Sequence, residues 1–271
     1  MSHRKKRRVL VTGATDGIGK ETAAELARRG HQVILHGRTR ERAEAVAAEI
    51  KGRHPEVHLD TAVADLSSQR QIVALAADLE SRFDGLDVLL NNAGVFMTER
   101  QLTEDGLERT FAVNHVAPMM LSLRLERLLA ARRPGRVITV SSIAHQRGTI
   151  AWDNLQGERS FDGYQAYALS KLGNLLFAFE LAARRSPEVL TSNALHPGVV
   201  STKLLRTGFG MGGADLASGA ATSVHLADSI DVEASTGLYY VDCRAVLSSA
   251  ASRNPELRRR LWEVTEGLMR A

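Results

Sequence analysis

Arg8-Val9-Leu10-Val11-Thr12 is a short apolar run. It passes directly into Gly13-Ala14-Thr15-Asp16-Gly17-Ile18-Gly19 and then into a helix-forming stretch, Lys20-Glu21-Thr22-Ala23-Ala24-Glu25-Leu26-Ala27. No other feature of the chain narrows the fold so far. The length and β-branching of the run predict a buried strand. Three glycines at this spacing, between a strand and a helix, predict a dinucleotide-binding turn. Gly13 permits the sharp turn, Gly17 lets the backbone approach a pyrophosphate, and Gly19 lets the helix pack closely on the strand. The first turn of the helix offers unpaired N–H groups and a positive dipole end to phosphates. Thr15, Asp16 and Ile18 complete the candidate cofactor turn. A nucleoside-triphosphate P-loop is excluded, because Ala14 stands where its first glycine belongs and Glu21 where Ser or Thr belongs.

The rest of the chain alternates in the same way. Apolar runs at 31–36, 57–62, 86–90, 136–140, 190–195 and 237–241 predict further strands. Helical periodicity covers 40–51, 68–83, 103–113, 116–132, 164–184 and 254–269. This is the pattern of an α/β protein with a single Rossmann-type, doubly wound domain of about seven parallel strands and helices on both faces. At 271 residues and 44% apolar content the chain is long and apolar enough for one large core. The net charge of +4 is misleading, since Arg4, Lys5, Lys6, Arg7 and Arg8 carry it, and everything after Arg8 sums to −1. Residues 1–8 are therefore read as a basic, flexible tail and 9–271 as the folded domain. A nucleic-acid partner is not expected, because no basic stripe recurs on the helices. A single cysteine, Cys243, suits a reducing compartment, and no apolar run reaches membrane-spanning length. A cytoplasmic protein without integral membrane contact is expected. His54 and His58 have helical spacing, but Pro55 intervenes, so no metal site is expected.

Strand ends carry the candidate cofactor residues. After the second strand the chain reads Gly37-Arg38-Thr39-Arg40, without the acid that takes both ribose hydroxyls in NAD-binding sites. Arg38 could pair bidentately with a 2′-phosphate, which favours NADP(H) while leaving NAD(H) open; the alternative is an ordinary surface arginine. Asp65-Leu66 follows the third strand, where Asp65 could reach the adenine or cap the next helix. Asn92-Ala93-Gly94, just past the fourth strand, leaves room for a cofactor. Later, Tyr167 and Lys171 stand four residues apart on one face of a long helix. A nearby ammonium favours phenolate, so Tyr167 is expected to have a lowered pKa and to pass protons near neutral pH.

Thr12-Gly13-x-x-x-Gly17-Ile18-Gly19, Asn91-Asn92-Ala93-Gly94, Asn114, Ser141-Ser142, Tyr167-x-x-x-Lys171 and Pro197-Gly198 occur in this order. Together they resemble the short-chain dehydrogenase/reductase family over essentially the whole chain after Arg8. The segments Ser142-Ile143-Ala144-His145, 153–158, 166–174 and 239–243 are similar to the retinol dehydrogenase-like branch. Unlike the animal members, the chain is read as lacking an N-terminal membrane anchor, which puts a retinoid substrate in doubt. The resemblance implies that Tyr167 is the general acid or base, that Lys171 lowers its pKa and holds the nicotinamide ribose, and that Ser142 hydrogen-bonds the substrate oxygen. It implies that Asn114 holds a water linked to Lys171, and that Pro197, Gly198, Val200 and Thr202 seat the carboxamide. Alternation along a strand lets only one of Ser141 and Ser142 face the site, and the family pattern selects Ser142.

The expected activity is hydride transfer between nicotinamide and an apolar ketone, aldehyde or alcohol, that of a carbonyl reductase or alcohol dehydrogenase. The rival reading is a protein that senses NADP(H) without turnover. Twenty-four residues separate Ser142 from Tyr167, about twice the span typical of the family. Trp152 and Phe161 in this loop wall an apolar substrate or simply anchor the loop. A glycine-rich stretch at 204–211 reads as a lid. His145, Trp152 and Phe209 are the substrate-side candidates. The family also allows a homodimer packed through the Tyr167 helix.

Overall fold

Val9 and Val11 point into one apolar core, and Leu10 between them points into another. This period of two in a strand with no polar face explains why the run is continuously apolar: both sides of the sheet are covered. The computed structural model describes residues 6–202 and 212–269. Its sheet has the order β3-β2-β1-β4-β5-β6-β7-β8. The strands are β1 (Arg8–Val11), β2 (Gln32–Gly37), β3 (His58–Val63), β4 (Val88–Asn91), β5 (Gly135–Val140), β6 (Leu190–His196), β7 (Tyr239–Val241) and β8 (Arg244–Val246). The first seven are mutually parallel, and β8 returns antiparallel to β7. The order reverses between β1 and β4, and the crevice beyond their carboxyl ends is where such sheets bind ligands.

The helices are α1 (Gly17–Arg28), α2 (Arg40–Arg53), α3 (Gln69–Arg82), α4 (Arg109–Phe111), α5 (Ala117–Arg124), α6 (Glu126–Ala130), α7 (Gly163–Arg184), α8 (Leu216–Asp228) and α9 (Pro255–Leu268). Asp16, Ser68, Asp162, Asp215 and Asn254 cap five of them with side-chain oxygens. The helix expected at 103–113 starts late. A turn at Gly106 (φ 77°) and a bridge between Leu102 and Glu108 occupy its first half. Glu108 then caps α4 by accepting from the Thr110 and Phe111 N–H groups. Between α4 and α5 the chain makes one π-helical turn, Ala112–Val116, with Asn114 at its centre.

Arg7 and Arg8, expected in the tail, belong to the body. Arg8 opens β1 and donates to Gln32, Asp84 and the Gly85 carbonyl. Arg7 is buried and donates to the Ala227 and Asp228 carbonyls at the end of α8, while buried Arg136 donates to those of Leu226 and Ser229. Two guanidinium groups thus satisfy the last carbonyls of α8 and oppose its negative dipole end. Arg136→Ala leaves one buried and one partly buried acceptor without a donor. It is expected to cost about 3 kcal/mol of stability, read as a lowered urea midpoint at constant slope.

Candidate active site

The glycine turn is held from three sides. Gly13 has φ 65°, and a Cβ there would stand 2.9 Å from the Ala93 Cα. A Cβ on Gly19 would overlap the Gly13 carbonyl and the Asn92 amide. Thr12 Oγ1 accepts from the Asn92 and Ala93 N–H groups, at 2.9 and 3.0 Å. Asn92 Nδ2 donates to the Thr12 carbonyl at 2.8 Å. The Asn92 Nδ2 thus fastens β4 to the turn. Asp16 likewise spends its carboxylate on Gly17 N–H as the cap of α1. Sequence reasoning missed His36. Its Nδ1 accepts from Gly13 N–H at 3.2 Å, so Nε2 carries the proton and donates to the Ala64 carbonyl at 3.1 Å. Its place as a histidine at a buried strand end was the only signal. Burial pushes its pKa down to about 4, which keeps this bracket neutral.

Around the turn, Thr202 stands over Gly17, with its methyl 3.7 Å from where a Cβ would lie. Val200 and Ile18 both pack against Gly219. Thr15 lies against Gly37. Pro197 and Gly198 (φ 88°) turn the chain out of β6 toward this group. Arg38 is exposed at the end of β2. Burial would raise the Asp65 pKa, but the Ser67 N–H and hydroxyl, with Arg38 and Arg109 nearby, hold it below the usual carboxylate range. Leu66 is buried in the core below α3.

Tyr167, Ser142 and Lys171 come together at the end of β5. Ser141 Oγ donates to the Lys171 carbonyl at 2.7 Å and so faces the backbone of α7. Ser142, one residue on, hydrogen-bonds Tyr167 instead. Phe96 covers the phenol ring, with centroids 5.6 Å apart. Lys171 Nζ lies 5.5 Å from the centre of the Tyr167 ring and donates to the Val140 carbonyl at 3.1 Å. A Cβ on Gly94 would stand 3.5 Å from both Lys171 Nζ and Asn114 Oδ1. Asn114 accepts from Val95 N–H at 2.8 Å and donates to the Val95 carbonyl and Ser170 Oγ. Its amide clamps the turn after β4 and ties it to α7.

One electrostatic expectation is overturned. Burial pushes the Tyr167 pKa up to about 12, against a lowering by the Ser142 hydrogen bond, and pushes that of Lys171 down to about 8. The ammonium is turned toward Val140 and does not offset the loss of water around the phenol. As arranged here, Tyr167 is a protonated donor at neutral pH.

The substrate-side candidates fare differently. His145 is buried, with Nδ1 on the Ser142 carbonyl and Nε2 accepting from Ser249 N–H, so both ring nitrogens are committed to the framework. Trp152 packs on the cluster around Leu155, Leu172 and Leu261, beneath the Arg260 guanidinium at 4.0 Å. It anchors its loop. Phe209 and the rest of 204–211 lie outside the described residues. Helix α9 packs on one face of α7. There Trp262 stacks on Phe177 and Arg258 pairs with Glu180.

A parallel sheet of this order, with a glycine turn and a Ser-Tyr-Lys cluster beside its crevice, defines an α/β oxidoreductase of the dinucleotide-binding type. The family model described as short chain dehydrogenase matches residues 7–209. The chain belongs to the short-chain dehydrogenase family. It is 38% identical to mouse retinol dehydrogenase 12, over 95% of this chain and 84% of that protein. To human retinol dehydrogenase 11 it is 39% identical, over 96% and 85%. Among solved structures it is similar to an uncharacterised protein of Mycobacterium paratuberculosis, with TM-score 0.79 and 30% identity over 99% and 96% of the two chains. It is also similar to an Escherichia coli CFT073 short chain dehydrogenase complexed with NADPH, with TM-score 0.72 and 26% identity over 89% and 98%. The resemblance to the retinol dehydrogenase branch therefore holds. No helix among the described residues is long and apolar enough to cross a membrane.

Proposed function

We propose that this protein is an NADP(H)-dependent oxidoreductase that interconverts an apolar ketone or aldehyde and its alcohol, with Tyr167 as general acid in reduction. The observation that carries the reading is the convergence of Ser142, Tyr167 and Lys171 on the crevice side of Gly94. The chain's own residues fit a dinucleotide. Gly17 opens on space bounded by Thr202, and Gly94 leaves a gap before Asn114 and Lys171; Arg38, exposed at the end of β2, supports a 2′-phosphate contact. When bound, the nicotinamide supplies or takes the hydride.

The protein supplies everything else. Backbone N–H groups at the start of α1, with Gly13, Gly17 and Ile18, cradle the pyrophosphate. Lys171 sits within reach of a ribose, and Pro197, Gly198, Val200 and Thr202 border the nicotinamide end. Ser142 positions the substrate oxygen next to the Tyr167 hydroxyl and stabilises charge developing there. Tyr167, protonated because it is buried, passes its proton to that oxygen and Ser142 steadies the phenolate left behind. Exposed Ile143 and Val199 at the crevice mouth favour an apolar substrate. A panel of aliphatic and aromatic carbonyls, followed by loss of NADPH absorbance, tests the reading; no consumption on any member would sink it.

Cofactor choice is tested separately at Arg38. Arg38→Ala is expected to weaken NADPH by about 30-fold, the worth of a charge-assisted phosphate contact, and to leave NADH within about twofold. Equal losses for the two cofactors, read by fluorescence titration, would make Arg38 a surface residue.

A further inference from the structure

The Val140 carbonyl that holds Lys171 has a second donor. Asn174 Nδ2 reaches it at 3.1 Å, the same distance as Lys171 Nζ. Asn174 lies one turn after Lys171 on α7 and is 2% exposed. Its other polar atom, Oδ1, faces His115, the neighbour of Asn114 in the π turn. The two side chains approach without closing a well-aligned bond, and among the described residues neither Asn174 Oδ1 nor His115 Nδ1 has another partner. His115 Nε2 is 3.0 Å from the hydroxyl of Thr265 on α9. His115 is neutral, because burial brings its pKa to about 4. One tautomer satisfies the whole array: Thr265 donates to Nε2, and Nδ1–H points at Asn174 Oδ1. That fixes the amide with its NH₂ toward Val140. A buried carbonyl has two lone pairs, and both are then occupied.

We propose that Asn174 is a positioning residue for Lys171: by sharing the Val140 carbonyl it weakens that carbonyl's hold on the ammonium, so that Nζ is released toward the crevice. The array continues through His115 to Thr265, so α9 sets the orientation of the amide. Its catalytic consequence rests on the reductase reading above; the hydrogen-bond array does not. The other titratable groups near Lys171 are Tyr167 on its own helix and His196 at the end of β6, with His145 beside His196. None of them contacts Asn174 in this array.

The chain has six lysines, so Lys171 can be followed alone by NMR of ¹³C-lysine-labelled full-length protein, assigned with Lys171→Arg. Asn174→Leu keeps the volume and removes the second donor. It is expected to raise the Lys171 titration midpoint by about half a unit and to lower kcat about tenfold at unchanged melting temperature. Thr265→Val, remote from the crevice, is expected to move both in the same direction by less, and the two changes should not add. A Lys171 midpoint unchanged or lowered in folded Asn174→Leu overturns the proposal. Should that variant not fold, Thr265→Val decides by the same criterion. A wild-type protein silent on every carbonyl would instead sink the reductase reading, and the titration would still decide Asn174.

Discussion

Tyr167→Phe is expected to reduce turnover by on the order of 10³-fold while NADPH binding stays within a few-fold. The reason is local. The ring remains, so its contact with Phe96 and its place on α7 are kept. Only the hydroxyl that bonds Ser142 is lost, and with it the proton donor. Because burial holds the phenol near 12, the wild-type enzyme should reduce substrate with little dependence on pH through neutrality, the tyrosine being protonated throughout. Steady-state rates with the best carbonyl of the panel, beside cofactor titration of the same variant, check this. Turnover retained within tenfold would remove Tyr167 from the chemistry. Cofactor affinity lost together with turnover would show that the hydroxyl helps to hold the dinucleotide.

Acid should unfold the protein early. His36, His115 and His196 are neutral in the fold, and burial brings each from 6.5 to about 4. The unfolded chain binds these protons below about 6.5 and the folded chain does not until about 4. Their contribution is thus fully present above the unfolded value and is lost as pH falls through that window. Each shift corresponds to about 3 kcal/mol, and three give on the order of 5–10 kcal/mol. That rivals the whole stability of an ordinary domain. Urea midpoints measured at closely spaced pH values should fall steeply below neutrality, well before the carboxylates titrate. A flat profile down to pH about 4.5 would mean that the three rings are reached by water.

His36 shows why this could not be read from the chain. A histidine at the end of a strand is unremarkable in a sequence. It becomes a bracket only when Gly13 and Ala64, 23 and 28 residues away, arrive at its two nitrogens. Trp152 is the opposite case, since an aromatic in a loop beside a site suggested a substrate wall. Arg260, from the far end of the chain, covers its ring and makes it an anchor. The hairpin from β7 to β8 was invisible because its turn is Asp242-Cys243, at φ 48° and 61°, where Gly or Asn usually signals such a turn. Helix α8 was missed because Ser, Thr, Gly and Ala blur its apolar stripe, although Asp215 caps it.

Residue order alone determined the alternating α/β plan, the glycine turn between β1 and α1, and the approach of Tyr167 and Lys171 on one helix face. Each of these rests on neighbours within a few residues, where steric and hydrogen-bonding rules act along the chain. Only the folded molecule decided that the phenol is made less acidic, that Lys171 is turned to Val140, that α9 covers α7, and that Arg7 is interior. Those outcomes depend on how much water is excluded and on which distant groups meet. Desolvation and long-range pairing are properties of the packed whole, and no local pattern encodes their balance.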